Sequence, residues 1–144
     1  MQSKNKHWII AHEPPISNAS GARTQTTYVQ RLQMLLSVDD IISEVTELLR
    51  SEGVLDETYL LFCADHGWNL GEFGVMAGKH QIYEHTIRVP FIIAGPGIAA
   101  NKKLPDVVSM VDVAPTLLEL AGAAVPADMD GRSFAKAVLG KERR

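Results

Sequence analysis

Apolar residues between Thr24 and Gly53 recur at intervals of mostly three and four positions, which is the pattern of an amphipathic helix. Gly53 is placed to end this helix. The apolar stripe consists of Tyr28, Leu32, Leu35, Leu36, Ile41, Ile42, Val45, Leu48 and Leu49. Residues 1–23 lack such a period and contain a Pro-Pro pair, so we predict a loop-rich segment there, with a short extended piece at 7–10.

Three apolar runs without polar alternation predict short β-strands. TYLLFCA at 58–64 and VPFIIA at 89–94 are expected to be covered on both faces, and VVSMV at 107–111 is a candidate third strand. Buried strands need neighbours, and two or three short ones make a poor sheet. Either the chain borrows strands from a partner or it is part of a larger domain, and we favour the larger domain.

Helical segments follow the strands. Asp112 is placed as the N-cap of VAPTLLELAG, in which a proline occupies the first turn and Gly122 ends the helix. A last helical piece is predicted at 132–139. Because of its position directly before VAPTLLELAG, Asp112 is interpreted as a helix cap rather than a metal ligand. Strands that alternate with amphipathic helices indicate an α/β protein.

Composition excludes several classes of partner. The chain has 144 residues, a net charge of −3 and 46% hydrophobic residues, which suits one globular domain. The weak acidic balance gives no electrostatic footprint for nucleic acid. No apolar run approaches the roughly 20 residues of a membrane helix, and no signal peptide is recognisable. We expect neither nucleic-acid nor membrane partners, and the sequence leaves the compartment open.

An acid and an imidazole, Asp65 and His66, directly follow the predicted strand TYLLFCA. Open α/β sheets bind ligands at the carboxyl ends of their strands. A carboxylate and a neutral imidazole can both bind a divalent cation, and Gly67 lets the backbone turn away from it. The alternative is a loop aspartate that caps a turn beside a histidine whose ring is already hydrogen-bonded. The pair alone leaves both interpretations open.

A loop punctuated by glycines then leads to Lys79 and His80. An ammonium group beside a metal would stabilise charge on phosphoryl or sulfuryl oxygens during transfer, whereas the alternative for Lys79 is a solvated surface lysine. His80 is more ambiguous by position. Cys63, the single cysteine, lies inside the apolar run and is interpreted as a small buried hydrophobe. Glu84 and Arg88 are four residues apart and are expected to form a structural pair.

Successive blocks between Tyr28 and about Leu139 resemble those of the sulfatases, which belong to the alkaline-phosphatase-like superfamily. The blocks are ADHGWNLGEFG, GKHQIYEHTIRVPFIIAGPGI, VSMVDVAPTLLELAG and MDGRSF. The pieces KHWII, SNAS and RLQMLLSVDD are similar to the matching part of N-acetylglucosamine-6-sulfatase-type enzymes, which act on glycosaminoglycans. The resemblance implies a three-layer fold with a central mixed sheet flanked by helices. Residues 24–144 would be the C-terminal portion of its catalytic domain, after a loop-rich segment at 1–23.

The resemblance also implies roles for individual residues. Asp65 and His66 occupy the positions of calcium ligands in sulfatases, where many members have asparagine instead of the histidine. This departure leaves the metal and the substrate class open. Lys79 matches the lysine that contacts the sulfate group and stabilises the leaving oxygen, and His80 lies on the substrate side of it. The Ca²⁺ site would be completed by residues outside this chain.

The family's nucleophile is missing. Sulfatases carry a C/S-x-P-x-R motif whose first residue becomes formylglycine, and no match to it exists here; Cys63 is followed by Ala-Asp-His. The resemblance therefore implies part of a sulfuric ester hydrolase, inactive alone, with a sulfated carbohydrate or other sulfate ester as substrate. Its partner would be the missing N-terminal half of the domain. The alternatives are a non-catalytic sulfatase-like binding module, or a phosphodiesterase or phosphonate monoester hydrolase of the same superfamily.

Overall fold

A computed structural model describes residues 7–76, 78–79 and 81–141 of the chain. Five α-helices are present in these residues: α1 (Trp8–His12), α2 (Asn18–Ser51), α3 (Glu84–Ile87), α4 (Val113–Leu120) and α5 (Ala135–Val138). Two strands, β1 (Leu60–Cys63) and β2 (Phe91–Ala94), pair in a two-stranded sheet. Short 3₁₀ turns lie at Leu55–Glu57, Glu72–Gly74 and Met110–Asp112. No helix within the described ranges has the length and apolar character needed to cross a membrane.

The described residues divide into two compact units. One consists of the chain up to Leu55 together with Phe62–Phe91, and the other of Asp56–Leu61 together with the chain from Ile92 onward. The first unit contains α1, α2 and α3, and the second contains α4 and α5.

Helix α2 begins at Asn18, six residues before the predicted start at Thr24. Ser17 is its N-cap, and the Ser17 hydroxyl accepts a hydrogen bond from the backbone N–H of Ser20 at 3.1 Å. This cap satisfies one of the free N–H groups at the helix start, so the polar turns before the apolar stripe can also be helical. The extended piece predicted at 7–10 is wrong, because helix α1 starts at Trp8.

The apolar stripe predicted for α2 is present in the sequence but is not covered. Among the described residues, no side chain of α2 is buried. Ten large apolar side chains of this helix are exposed and are distributed around it. We call them the apolar surface of α2: Tyr28, Val29, Leu32, Met34, Leu35, Leu36, Ile41, Ile42, Val45 and Leu48. A helix of this composition ordinarily buries such a stripe against other elements.

The first two predicted strands are confirmed, in shorter form, as β1 and β2. They are not covered on both faces: β1 is partly exposed throughout, and residues of β2 alternate between partly and fully exposed. The strand predicted at 107–111 is wrong. Ser109 caps a 3₁₀ turn at Met110–Asp112 through a capping box with Asp112, and this local hydrogen bonding competes with an extended strand.

Asp112 organises the second unit. It occupies the N-cap position of α4, as predicted, but its side chain does not cap that helix. Its carboxylate is buried and accepts hydrogen bonds from the backbone N–H groups of Ser109 and Arg132, both at 2.8 Å. Thr116 donates to the Asp112 carbonyl at 2.6 Å and accepts from the Phe134 N–H at 3.0 Å. These bonds fix α4 beside the buried side chains of Phe134 and α5.

Replacing Asp112 by alanine is expected to lower the free energy of unfolding by about 3 kcal/mol, because two backbone N–H groups lose a buried, charged acceptor. Urea unfolding measures the loss, and faster amide exchange at Ser109 and Arg132 locates it. Asp128→Ala, at an exposed turn, is the matched control and should change little. Equal stability of the two variants would contradict this role of Asp112.

Candidate metal and sulfate site

The loop that follows β1 carries the predicted ligands, and Gly67 fixes its course. The Gly67 N–H donates to the Thr86 carbonyl at 2.7 Å. A Cβ atom at position 67 would lie 1.9 Å from the His85 carbonyl oxygen, so only glycine permits this approach of the loop to α3. The residues directly before this contact, Asp65 and His66, are thereby held near the end of β1.

The His66 ring has a defined tautomer. Its Nδ1 lies 2.9 Å from the Gly67 carbonyl oxygen, which can only accept, so Nδ1 carries the hydrogen. In the neutral ring Nε2 then has its lone pair free. Nε2 is buried and has no hydrogen-bond partner among the described residues, although it lies 3.0 Å from Asp65 Oδ2. His66 Nε2 and Asp65 Oδ2 are therefore close together without forming a hydrogen bond. The structure therefore brings the two predicted ligand atoms together.

The geometry fits a divalent cation. Oxygen ligands bind Ca²⁺ at about 2.3–2.6 Å and Zn²⁺ or similar ions at about 2.0–2.2 Å, so neighbouring ligands of one ion are about 3 Å apart. The 3.0 Å between Asp65 Oδ2 and His66 Nε2 agrees with such a pair. One oxygen and one nitrogen do not by themselves select calcium. Within the described part of the chain, no group of three or more possible ligands occurs, so further ligands would come from elsewhere.

Lys79, the predicted sulfate contact, has no described interaction with this pair. Lys79 is exposed, and among the described residues no ion pair links it to Asp65. Its position follows from an isolated antiparallel bridge between Asn69 and Gly78, in which the Asn69 N–H donates to the Gly78 carbonyl at 2.8 Å. His80 lies outside the described residues.

The structural role of Asn69 near the site was not predicted from the sequence. Its side chain is buried, and its Oδ1 accepts from His85 Nε2 and, at 3.5 Å, from the Thr86 hydroxyl. Its Nδ2 is buried without a hydrogen-bond partner among the described residues. The Tyr83 ring stacks on His85 with centroids 5.8 Å apart. Asn69 thus connects the loop before Lys79 to α3. The only sequence signal is a polar residue in an otherwise ordinary loop.

Two minor expectations concern neighbouring residues. Cys63 is a free cysteine inside β1, partly rather than fully buried. Arg88 and Glu84 form the expected pair at 3.8 Å, with both side chains exposed. An exposed pair of this kind contributes little to stability.

Comparison with known proteins gives the family. The sequence model of the family described as Sulfatase matches residues 2–123. The chain is 40% identical over 139 residues to "Extracellular sulfatase SULF-1 homolog" of Drosophila melanogaster, covering 96% of this chain and 12% of that protein. It is 36% identical over 132 residues to human N-acetylglucosamine-6-sulfatase, covering 90% of this chain and 24% of that protein. The chain belongs to the sulfatase family.

Solved structures agree with this assignment. The phosphonate monoester hydrolase SpPMH from Silicibacter pomeroyi superposes with a TM-score of 0.68 at 31% identity, covering 73% of this chain and 21% of that one. BT4656 in complex with its substrate D-glucosamine-2-N,6-O-disulfate superposes with a TM-score of 0.62 at 34% identity, covering 76% and 22%. The predicted resemblance and the α/β alkaline-phosphatase-like fold are confirmed. The chain spans between about an eighth and a quarter of the length of these relatives.

Proposed function

We propose that this chain is part of a sulfuric ester hydrolase and supplies some of its metal and sulfate-binding residues. The observation that carries the proposal is the free, buried His66 Nε2 at 3.0 Å from Asp65 Oδ2, at the end of a strand in a sulfatase-family chain. Asp65 Oδ1 accepts a hydrogen bond from the His66 backbone N–H at 2.9 Å, and this bond leaves Asp65 Oδ2 beside a His66 nitrogen that has no hydrogen-bond partner among the described residues.

The four predicted site residues would have two roles, cation binding and sulfate binding. Asp65 and His66 would hold a divalent cation, for which Ca²⁺ is the expectation from the family. Lys79 would contact the sulfate group with its ammonium, and His80 would lie on the substrate side. A bound cation supplies positive charge that stabilises developing negative charge on the sulfate oxygens. The nucleophile would come from another part of the polypeptide, and we expect no turnover by the 144-residue chain alone.

The proposed substrate class is sulfated carbohydrate. Support comes from the similarity to N-acetylglucosamine-6-sulfatases and to a structure whose bound substrate is a sulfated glucosamine. A sugar carrying a sulfate ester also suits a site that combines a cation with a lysine, because both recognise the sulfate oxygens.

A phosphonate monoester hydrolase is the second candidate, favoured by the TM-score of 0.68 to SpPMH. Turnover of aryl sulfates and of phosphonate monoesters by the complete protein separates the two, and phosphonate activity alone would refute the sulfatase. A non-catalytic binding module is the third candidate, favoured by the missing nucleophile motif. An in-frame C/S-x-P-x-R motif in the coding sequence upstream of Met1 would exclude that module.

Paramagnetic Mn²⁺ added to the chain is expected to broaden the NMR signals of Asp65 and His66 before others. Binding should be weak, in the millimolar range or above, because two ligands cannot make a tight site. Asp65→Ala should remove the local broadening, and Ca²⁺ should compete with Mn²⁺ for it. Asp128→Ala serves as the control for a general loss of negative charge. Broadening that survives Asp65→Ala unchanged would contradict the proposed ligand pair.

A further inference from the structure

The first unit contains a pocket of about 380 Å³ beside the loop that carries Asp65 and His66. One wall consists of residues from the first turns of α2, and the other of residues from the loop after His66. Its lining includes Arg23, Thr27, Arg31, Trp68, Leu70 and Met76. We call it the arginine pocket.

Two guanidinium groups line this pocket without an acidic partner. Arg23 and Arg31 are eight residues apart with Thr27 midway, so all three lie along one side of α2. Among the described residues, neither arginine has a carboxylate within salt-bridge distance. By contrast, Arg50, near the C-terminal end of the same helix, forms an ion pair with Glu47. Two unpaired cations at one concave surface are suited to an anionic ligand.

The surroundings favour an anion further. The Arg31 guanidinium carbon lies 5.7 Å from the centroid of the Trp68 ring, which restricts the motion of this long side chain. Leu70 and Met76 add apolar surface, where charge interactions are less screened than in open water. Ser20, in the first turn of α2, also lines the pocket; the N-terminal end of a helix carries partial positive charge, and this turn contains no acid.

The arginine pocket lies close in sequence to the candidate metal ligands. Trp68 is two residues after His66, so their Cα atoms are at most about 7 Å apart. Residues of one short stretch of the loop therefore border both sites. A saccharide whose sulfate ester lies at Asp65 and His66 could therefore place a neighbouring anionic group in the arginine pocket.

We propose that the arginine pocket binds a second anionic group, a sulfate or carboxylate, of the saccharide whose sulfate ester is held at Asp65, His66 and Lys79. The protein would thus select saccharides with at least two anionic groups over those with one. This inference rests on the proposed function for the position of the first sulfate. The arginine pocket itself depends only on the geometry of α2 and the loop.

The test is an NMR titration of the 144-residue chain, kept monomeric by Leu36→Lys and Leu48→Lys, with D-glucosamine-2-N,6-O-disulfate, D-glucosamine-6-sulfate and D-glucosamine, which carries no anionic group. We expect the disulfate to shift the Trp68 indole N–H and Arg31 side-chain signals, with an affinity at least about fivefold above that of the monosulfate. Arg31→Gln and Arg23→Gln should each remove about that factor, whereas Arg23→Lys should retain part of it. Arg50→Gln, on the same helix but paired with Glu47, is the control and should bind like the unmodified chain.

The outcomes are distinguishable from those for the proposed function. Equal affinities for disulfate and monosulfate, or undiminished disulfate binding by a folded Arg31→Gln variant, would overturn the inference. If Mn²⁺ broadens the His66 signals while the disulfate leaves Trp68 unchanged, only the arginine pocket is refuted. If the disulfate shifts Trp68 while Mn²⁺ fails to broaden His66, the anion site stands and the metal site falls. Circular dichroism of each variant checks that α2 is retained.

Discussion

Alanine at position 67 is expected to lower the free energy of unfolding of the chain by about 3 kcal/mol or more. The new Cβ would lie 1.9 Å from the His85 carbonyl oxygen, 2.9 Å from its carbon and 3.1 Å from Thr86 Cα. All three are backbone atoms, so no flexible side chain can move aside. The Gly67 N–H also donates to the Thr86 carbonyl at 2.7 Å, and this bond must break if the loop moves away. The loop and α3 would have to separate.

Gly21→Ala is the matched control for this substitution. Gly21 lies inside α2, where an added Cβ would lie 3.8 Å from Ile16 Cγ2, an ordinary contact. Alanine is about 1 kcal/mol more favourable than glycine inside a helix, so this variant should be stabilised. Urea unfolding of both variants measures the difference. A Gly67→Ala chain as stable as Gly21→Ala would show that the loop does not approach α3 as described.

The same substitution should also affect the candidate metal site. Gly67 supplies the carbonyl that accepts from His66 Nδ1 and so leaves Nε2 free to act as a ligand. If the loop detaches from α3, this carbonyl is no longer held in place, and the ring can rotate or change tautomer. Mn²⁺ broadening at His66 should therefore weaken in Gly67→Ala, although no ligand has been removed. The contact between Gly67 and α3 thus helps to determine which nitrogen of His66 is free to bind a cation.

Features that depend on residues close together in the sequence could be predicted from it. Asp65 and His66 are recognisable because an apolar run ends directly before them, and their ligand atoms can meet because the residues are adjacent. The capping box at Ser109 and Asp112 is also a local signal, S-x-x-D, but the apolar residues around it favoured a strand. The period of α2 located the helix, whereas its polar first turns, capped by Ser17, carry no apolar period and were missed.

Contacts between distant parts of the chain could not be predicted in this way. Asn69 bonds with His85 and Thr86, 16 and 17 residues later, and nothing in the local sequence indicates the pairing. Arg31, in α2, contacts Trp68, in the loop after β1, 37 residues later. Both contacts arise from the tertiary approach of α2, α3 and the loop within one unit. The roles of Lys79 and His80 remain predictions from the family resemblance.

The apolar surface of α2 is expected to be covered in the complete protein. Its ten side chains are each about half exposed, and covering the remainder would contribute roughly 1 kcal/mol per side chain, or on the order of 10 kcal/mol together. A patch of this size is unusual on a soluble monomer. We propose that the occupant in the complete protein is the rest of the sulfatase domain, since this chain spans only 12% to 24% of its relatives.

In isolation, the 144-residue chain is therefore expected to self-associate and to bind a hydrophobic dye such as ANS. Sedimentation velocity at concentrations of roughly tens of micromolar should give a mass well above the 15.8 kDa of one chain. The double substitution Leu36→Lys with Leu48→Lys places charges at two strongly exposed positions of α2 and should restore the monomer. Gln33→Lys adds a charge at a polar position of the same helix and should leave the association unchanged.

The result distinguishes a self-sufficient domain from an incomplete one. A chain that sediments as a monomer, binds no ANS and unfolds cooperatively would have α2 covered by contacts other than those described, and the proposed occupant would be unnecessary. If instead the chain associates and Leu36→Lys with Leu48→Lys prevents it, the apolar surface of α2 is available to a covering polypeptide. Co-expression with the N-terminal part of a sulfatase domain should then compete with self-association, because both partners would bury the same side chains.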